Sequence, residues 1–121
     1  MRSFRELEVW QLAMQLLAEV YPLTMGFHHP HGFEIGRQMR EAAASPPSNI
    51  AEGYAQRSRK VYVRHLNIAA GSIAELDTQL EAVQRLSIGD KEAARHAAVT
   101  CDRVGRMLNV LITRLTQEPS K

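Results

Sequence analysis

The chain has 121 residues, of which 45% are apolar and 23% charged, with a formal net charge of +2. This is the size of one domain and the balance of a soluble globular protein, and so mild a positive charge does not by itself imply nucleic acid. One cysteine excludes an internal disulfide and fits a reducing cytosol, and no apolar run approaches the length of a membrane span.

Alanine and leucine are abundant and strand-like runs of Val, Ile and Thr are missing, so an all-α fold is expected, as a single domain over 1–121. The N-terminus carries Glu6 and Glu8 inside an amphipathic pattern and does not read as a signal peptide, which points to a cytoplasmic protein.

The first helix is expected over about residues 4–25. Leu7, Trp10, Met14, Leu17 and Tyr21 share one face, and Val9, Ala13, Leu16 and Val20 form a second apolar stripe. One stripe can face the core; the other needs cover, and a neighbouring subunit would supply it. Pro22 is expected to kink or end this helix. Residues 26–32 read as a loop. Its three histidines, His28, His29 and His31, lack a recognisable fourth ligand, so a solvated loop is favoured over a metal site.

The second helix is expected over about 33–56, with Ile35, Met39, Ala42, Ala43, Ile50 and Tyr54 inward. Proline lacks an amide hydrogen and clashes with the preceding turn, so Pro46 and Pro47 should kink the helix or restart it from Ser45, with a stop near Gly53. The third helix, about 58–87, opens on Ser58 as N-cap. Tyr62, Leu66, Ala69, Ile73, Leu76, Leu80 and Val83 repeat at spacings of four and three, and mid-helix Gly71 should permit a tight crossing. Gly89 suits a left-handed helix end and Asp90 an N-cap. The fourth helix, about 90–116, carries Ala94, Ala97, Cys101, Val104, Leu108, Leu111 and Leu115, with Met107, Val110 and Ile112 widening the face and a fraying tail beyond Thr116. Four such helices with short connections describe an antiparallel up-down-up-down four-helix bundle.

No catalytic set stands out. Bundle di-iron sites need Glu-x-x-His pairs, which this sequence lacks, and no phosphate-binding glycine loop is present. Cys101 and His96 do not share a helical face. The expectation is a non-enzymatic protein without cofactor or metal.

Charge is more informative. Between Glu52 and Glu75 there is no acid, yet Arg57, Arg59, Lys60, Arg64 and His65 fall there. Cations at a helix start oppose the helix dipole, so local helix stability does not account for them. They can form a solvated face, pair with acids of a neighbouring subunit, or meet phosphates. Tyr54 is a stacking candidate beside them. Asn49 and Glu52, three apart, either satisfy backbone groups freed by the prolines and bond a neighbouring helix, or contact a ligand.

The residues Gln38-Met39-Arg40, Ala42-Ala43, Ser45 and Pro47-Ser48-Asn49-Ile50-Ala51-Glu52-Gly53 resemble the signature of the four-helix-bundle proteins associated with intervening sequences in bacterial 23S rRNA genes. The likeness continues through Arg57, Ser58, Tyr62, Leu66, Ala69, Gly71-Ser72 and Glu75-Leu76. It includes Phe4, Leu7, Val9 and Trp10 at the start, and covers about residues 4–86. It implies a homo-oligomer, a pentameric ring, and similarity to accessory proteins of diversity-generating retroelements, which bind nucleic acid and a reverse transcriptase. The sequence departs from that pattern where Glu41 follows Arg40 and where Pro46 precedes Pro47. The expected function is an oligomeric adaptor associated with RNA or DNA, with Arg37, Arg40, Arg57, Arg59, Lys60 and Arg64 as phosphate contacts. Pro47, Ser48, Asn49, Glu52 and Gly53 form its structural motif. The alternative is a protein-interaction scaffold in which the cations make subunit contacts.

Overall fold

A computed structural model describes residues 3–28 and 30–117. A 3-10 turn, Phe4–Glu6, precedes four α-helices: α1 Glu8–Met25, α2 Pro30–Ala55, α3 Arg59–Arg85 and α4 Lys91–Gln117. The described residues contain no strand. Each helix packs on the next in the chain, and α4 returns against α1; the backbones of the diagonal pairs α1/α3 and α2/α4 stay more than 8 Å apart between Cα atoms. The packing is that of a helical bundle around one core.

The core follows the apolar periodicity. Val9, Ala13, Leu16 and Val20 turn inward from α1, Met39, Ala42, Ala43 and Ile50 from α2, and Leu66, Ala69, Ile73, Leu76, Leu80 and Val83 from α3. Ala94, Ala97, Cys101, Val104 and Leu108 complete it from α4, with Leu111 and Leu115 half-buried at its edge. The α1 stripe of Leu7, Trp10, Met14, Leu17 and Tyr21 stays outside: Met14 and Tyr21 are exposed, as is Met25 beyond them, and Leu7, Trp10 and Leu17 are only partly covered. Val110 is exposed rather than part of the α4 apolar face.

Several helix limits differ from expectation. The first helix begins at Glu8 because Leu7 is extended, leaving Phe4 in the 3-10 turn with its ring edge-on to Trp10 at 5.3 Å. Pro22 neither ends nor interrupts α1. It lies on the exposed side, as does Ala18 one turn back, so the carbonyl it deprives of a donor faces water. Residues 30–32 belong to α2 rather than to a loop, since Pro30 stands where proline's fixed φ suits a first helical turn. His31 is therefore on a helix, and His29 lies outside the described residues. No group of three His, Cys, Asp or Glu positioned for a metal occurs among the described residues. Nor do these contain a helix long and apolar enough to cross a membrane.

Helix α2 is continuous through Pro46 and Pro47, both buried, so it does not restart at Ser45. It also passes Gly53 and ends at Ala55. The close crossing lies at Gly53, not at Gly71. A Cβ on Gly53 would stand 2.7 Å from His65 Cβ, whereas one on Gly71 would meet nothing within 4 Å.

The helix ends carry their expected caps, with one exchange. Ser58 Oγ accepts from Val61 N–H at 3.3 Å, and Asp90 Oδ1 accepts from the amides of Glu92 and Ala93. At the end of α3 the left-handed C′ residue is Ser87 (φ 56°) rather than Gly89. Ile88 N–H donates to Val83 O at 2.9 Å and Ser87 N–H to Gln84 O at 3.3 Å, the paired bonds of a Schellman motif. Gly89 is also left-handed (φ 75°), and it lies against the buried ring of Phe27. Cys101 is enclosed, with its thiol 3.6 Å from Ile73 O; burial, reinforced by Asp77 and Asp102, pushes its pKa up to about 12, so the thiol is not poised for reaction.

Candidate nucleic-acid interface

The α2–α3 corner gathers the motif. Asn49 is central to it. Its side-chain nitrogen donates to Ser45 O at 3.0 Å and lies 3.1 Å from Ser45 Oγ, while its oxygen pairs with His65 Nδ1 at 2.9 Å. Ser72 Oγ donates to Ser45 Oγ at 2.7 Å. A polar chain, Ser72–Ser45–Asn49–His65, thus ties α2 to α3 alongside the glycine crossing. Of the expected structural uses of Asn49, the bond to a neighbouring helix is present, together with a local bond to a backbone carbonyl. The carbonyl it satisfies is that of Ser45, not those of Ala42 and Ala43 that the prolines leave without donors. With Asn49 Oδ1 as acceptor, this bond is made by the Nδ1–H tautomer of His65. Ser72 and His65 are the residues that periodicity did not single out for this role. Their signal was that polar side chains flanked an apolar stripe on a helix facing the motif. Asn49→Ala removes the shared partner of Ser45 and His65 and is expected to destabilise the fold by about 1–3 kcal/mol. Urea unfolding monitored by circular dichroism would measure it.

The rest of the motif divides cleanly. Pro47 is buried, Ser48 and Glu52 are exposed, and Gly53 fills the crossing. Glu52 faces solvent and makes no hydrogen bond to Asn49 or His65.

The cationic residues fall into two groups. Arg37 lies between Glu34 (2.6 Å) and Glu41 (3.0 Å); hydrogen bonding to Glu34 and the charge of both acids raise its pKa and offset its field. Arg40 is half-buried, donates to Thr24 Oγ1 at 3.0 Å and packs over the Tyr21 ring at 5.9 Å. These two serve the α1–α2 packing and local pairing. Arg57, Arg59, Lys60 and Arg64 cluster instead around the α2–α3 turn. No ion pair engages Arg57, Lys60 or Arg64 among the described residues, and all three are exposed. Arg57 holds a left-handed backbone (φ 57°), uncommon for a non-glycine residue and a local cost of about 1–2 kcal/mol.

Beside these cations is an open cavity of about 610 Å³. Phe4, Tyr54 and Tyr62 supply aromatic walls, Arg57 and Arg59 supply charge, and no acid lines it among the described residues. Tyr54 and Tyr62 meet edge-on at 5.9 Å. Tyr62 is therefore more than the first member of the core stripe. Burial, with a smaller contribution from Tyr54, raises the pKa of its phenol, whose enclosed hydroxyl has no hydrogen-bond partner among the described residues.

No curated protein matches the chain. A family model, described as 23S rRNA-intervening sequence protein, matches residues 5–110. That match takes in the motif on α2, the basic turn, Tyr54 and Tyr62, and α4 as far as Val110, so the chain belongs to the 23S rRNA-intervening sequence protein family.

Proposed function

We propose that this chain is a cytoplasmic, non-enzymatic, oligomeric adaptor that associates with RNA or DNA through the basic turn between α2 and α3. The observation that carries this reading is a set of three exposed cations, Arg57, Lys60 and Arg64, without ion pairs and set beside an aromatic cavity. Charges left unpaired at one corner are what a phosphate backbone would neutralise. Arg59 lies at the same corner; Arg37 contributes little because two acids offset its charge, and Arg40 because its half-buried guanidinium is held against Thr24 and Tyr21.

The architecture in this reading is an up-down-up-down bundle. Glu19 of α1 meets His96 of α4, and Leu7 and Val9 lie near Val110 and Arg114, so residue numbers rise along α1 as they fall along α4. Asn49–His65 and Ser45–Ser72 support the same opposed sense for α2 and α3. A bend at Pro46–Pro47 belongs to the reading, because two successive amide donors are missing there. Assembly into a ring of five, as the family likeness implies, would cover the outer α1 stripe of Met14, Tyr21 and Met25. A reverse transcriptase is a fitting protein partner on the same grounds.

The test is a titration of a short RNA at several salt concentrations. With three phosphate contacts on a single strand, log affinity should fall against log salt with a slope of about −2. The combined variant R57G/K60A/R64A should flatten that slope to near zero; glycine at position 57 removes the charge without straining the backbone. Salt-independent binding that survives this variant would overturn the reading.

A scaffold without nucleic-acid affinity is the second reading, favoured by the exposed apolar side chains on α1. It predicts that the same variant breaks the oligomer, which light scattering would detect, with no RNA affinity to lose.

A further inference from the structure

We infer that the cavity beside the basic turn receives one unstacked base of a single-stranded nucleic acid, so that the protein distinguishes single strands from duplexes. This rests on the phosphate-contact reading above and adds a second component to it. A row of exposed cations binds any phosphate backbone, double or single, and carries no preference between them. The cavity supplies what the cations lack.

Its size is the first argument. About 610 Å³ lies within the roughly 300–1,000 Å³ range of small-ligand sites, large enough for a nucleobase with its sugar. The lining is the second. Phe4 comes from the N-terminal 3-10 turn, Tyr54 from the end of α2 and Tyr62 from the start of α3, so three elements place aromatic rings around one space. Aromatic faces stack bases without regard to their identity, and each stacked base contributes about 1–3 kcal/mol. The third argument is the arrangement of charge. Arg57 and Arg59 belong to the same lining as the rings, while Lys60 and Arg64 continue along α3. A strand entering the cavity base-first thereby keeps its phosphates near cations. No carboxylate among the described residues lines the space to repel them. The left-handed backbone of Arg57 is the fourth. Glycine would adopt φ 57° without strain, yet an arginine is held there, facing the same cavity that the rings line.

In a duplex each base is stacked on its neighbours and paired, so its ring faces are unavailable; only an unpaired strand offers them at little cost. The ligand class is therefore single-stranded RNA or DNA, read without base identity.

The experiment uses the full chain and four probes of equal length: a single strand of deoxyadenosines, the matching adenosine RNA, the same sugar-phosphate strand without bases, and a duplex. Anisotropy titrations at fixed low salt are run on wild type, Tyr54→Ala and Tyr54→Phe, with thermal melting to confirm that each variant is folded. We expect the intact single strands to bind at least about fivefold more tightly than the abasic strand. Tyr54→Ala should remove that margin while leaving abasic-strand binding unchanged, and Tyr54→Phe should retain it. Equal binding of intact and abasic strands with a normal salt slope would overturn the base pocket while leaving the phosphate contacts standing. Binding to none of the probes would overturn both. Adenosine monophosphate, added as a competitor, separates a site for free nucleotides from one that needs a strand. Displacement of the strand at micromolar concentration would overturn the strand-specific inference, and failure to displace it at millimolar concentration would support it.

Discussion

Gly89→Ala is expected to destabilise the protein by about 2–5 kcal/mol, one of the largest effects of any single methyl group in this fold. Two costs combine. The backbone at Gly89 has φ 75°, where a β-carbon costs about 1–2 kcal/mol. The added carbon would also fall 2.3 Å from Phe27 Cε1 and 2.7 Å from Cδ1. Phe27 is only 1% exposed and is held on other sides by Gly32 and Gly36, so its ring has little room to retreat. Overpacking of this kind costs about 1–3 kcal/mol. The two costs are separable by a double-mutant cycle with Phe27→Leu. In that background Gly89→Ala should retain its backbone cost and lose most of its steric one. A melting temperature unchanged by Gly89→Ala would contradict the packing described for the α3–α4 connection.

Gly53→Ala is expected to lower the melting temperature by roughly 5–10 °C. In an ordinary helix interior the same change stabilises, by up to about 1 kcal/mol. Here the new carbon would lie 2.7 Å from His65 Cβ and 3.0 Å from Tyr62 Cδ1. His65 Cβ is fixed to the α3 backbone and cannot swing aside, so α2 and α3 must separate. Separation stretches the Asn49–His65 bond and moves Tyr54 from Tyr62, so the variant should also lose strand affinity beyond what its remaining folded fraction explains. Gly71→Ala is the matched control: nothing lies within 4 Å of its added carbon, and it should not destabilise the protomer. Calorimetry on both variants provides the comparison.

These two glycines show how the fold was and was not written in the chain. The four helices were legible because apolar residues recurred at three and four, and burial of that stripe is the main favourable term for any amphipathic helix. Helix starts at Ser58 and Asp90 were legible because a capping bond is local, made within three residues of the cap. Whether the prolines break their helices was not legible. Proline's cost depends on whether the deprived carbonyl can reach water and whether packing holds the helix, and neither is a local property. Pro22 lies on a wet face and Pro46 and Pro47 are clamped in the core, so α1 and α2 continue through them.

The site divides in the same way. That Arg57, Arg59, Lys60 and Arg64 form a cluster followed from the sequence alone, because they occupy one turn and the first helical turns after it. That Arg37 and Arg40 do not join them required the structure, which brings Glu34 and Glu41 onto one and Thr24 and Tyr21 onto the other. The sequence by itself determined four amphipathic helices, their caps and the basic turn, since each depends on contacts within one or two helical turns. Only the tertiary structure decided which glycine carries the crossing, which tyrosines line the cavity and which polar residues join into one chain. Those depend on the register between helices, which is set by the packing of side chains far apart in sequence.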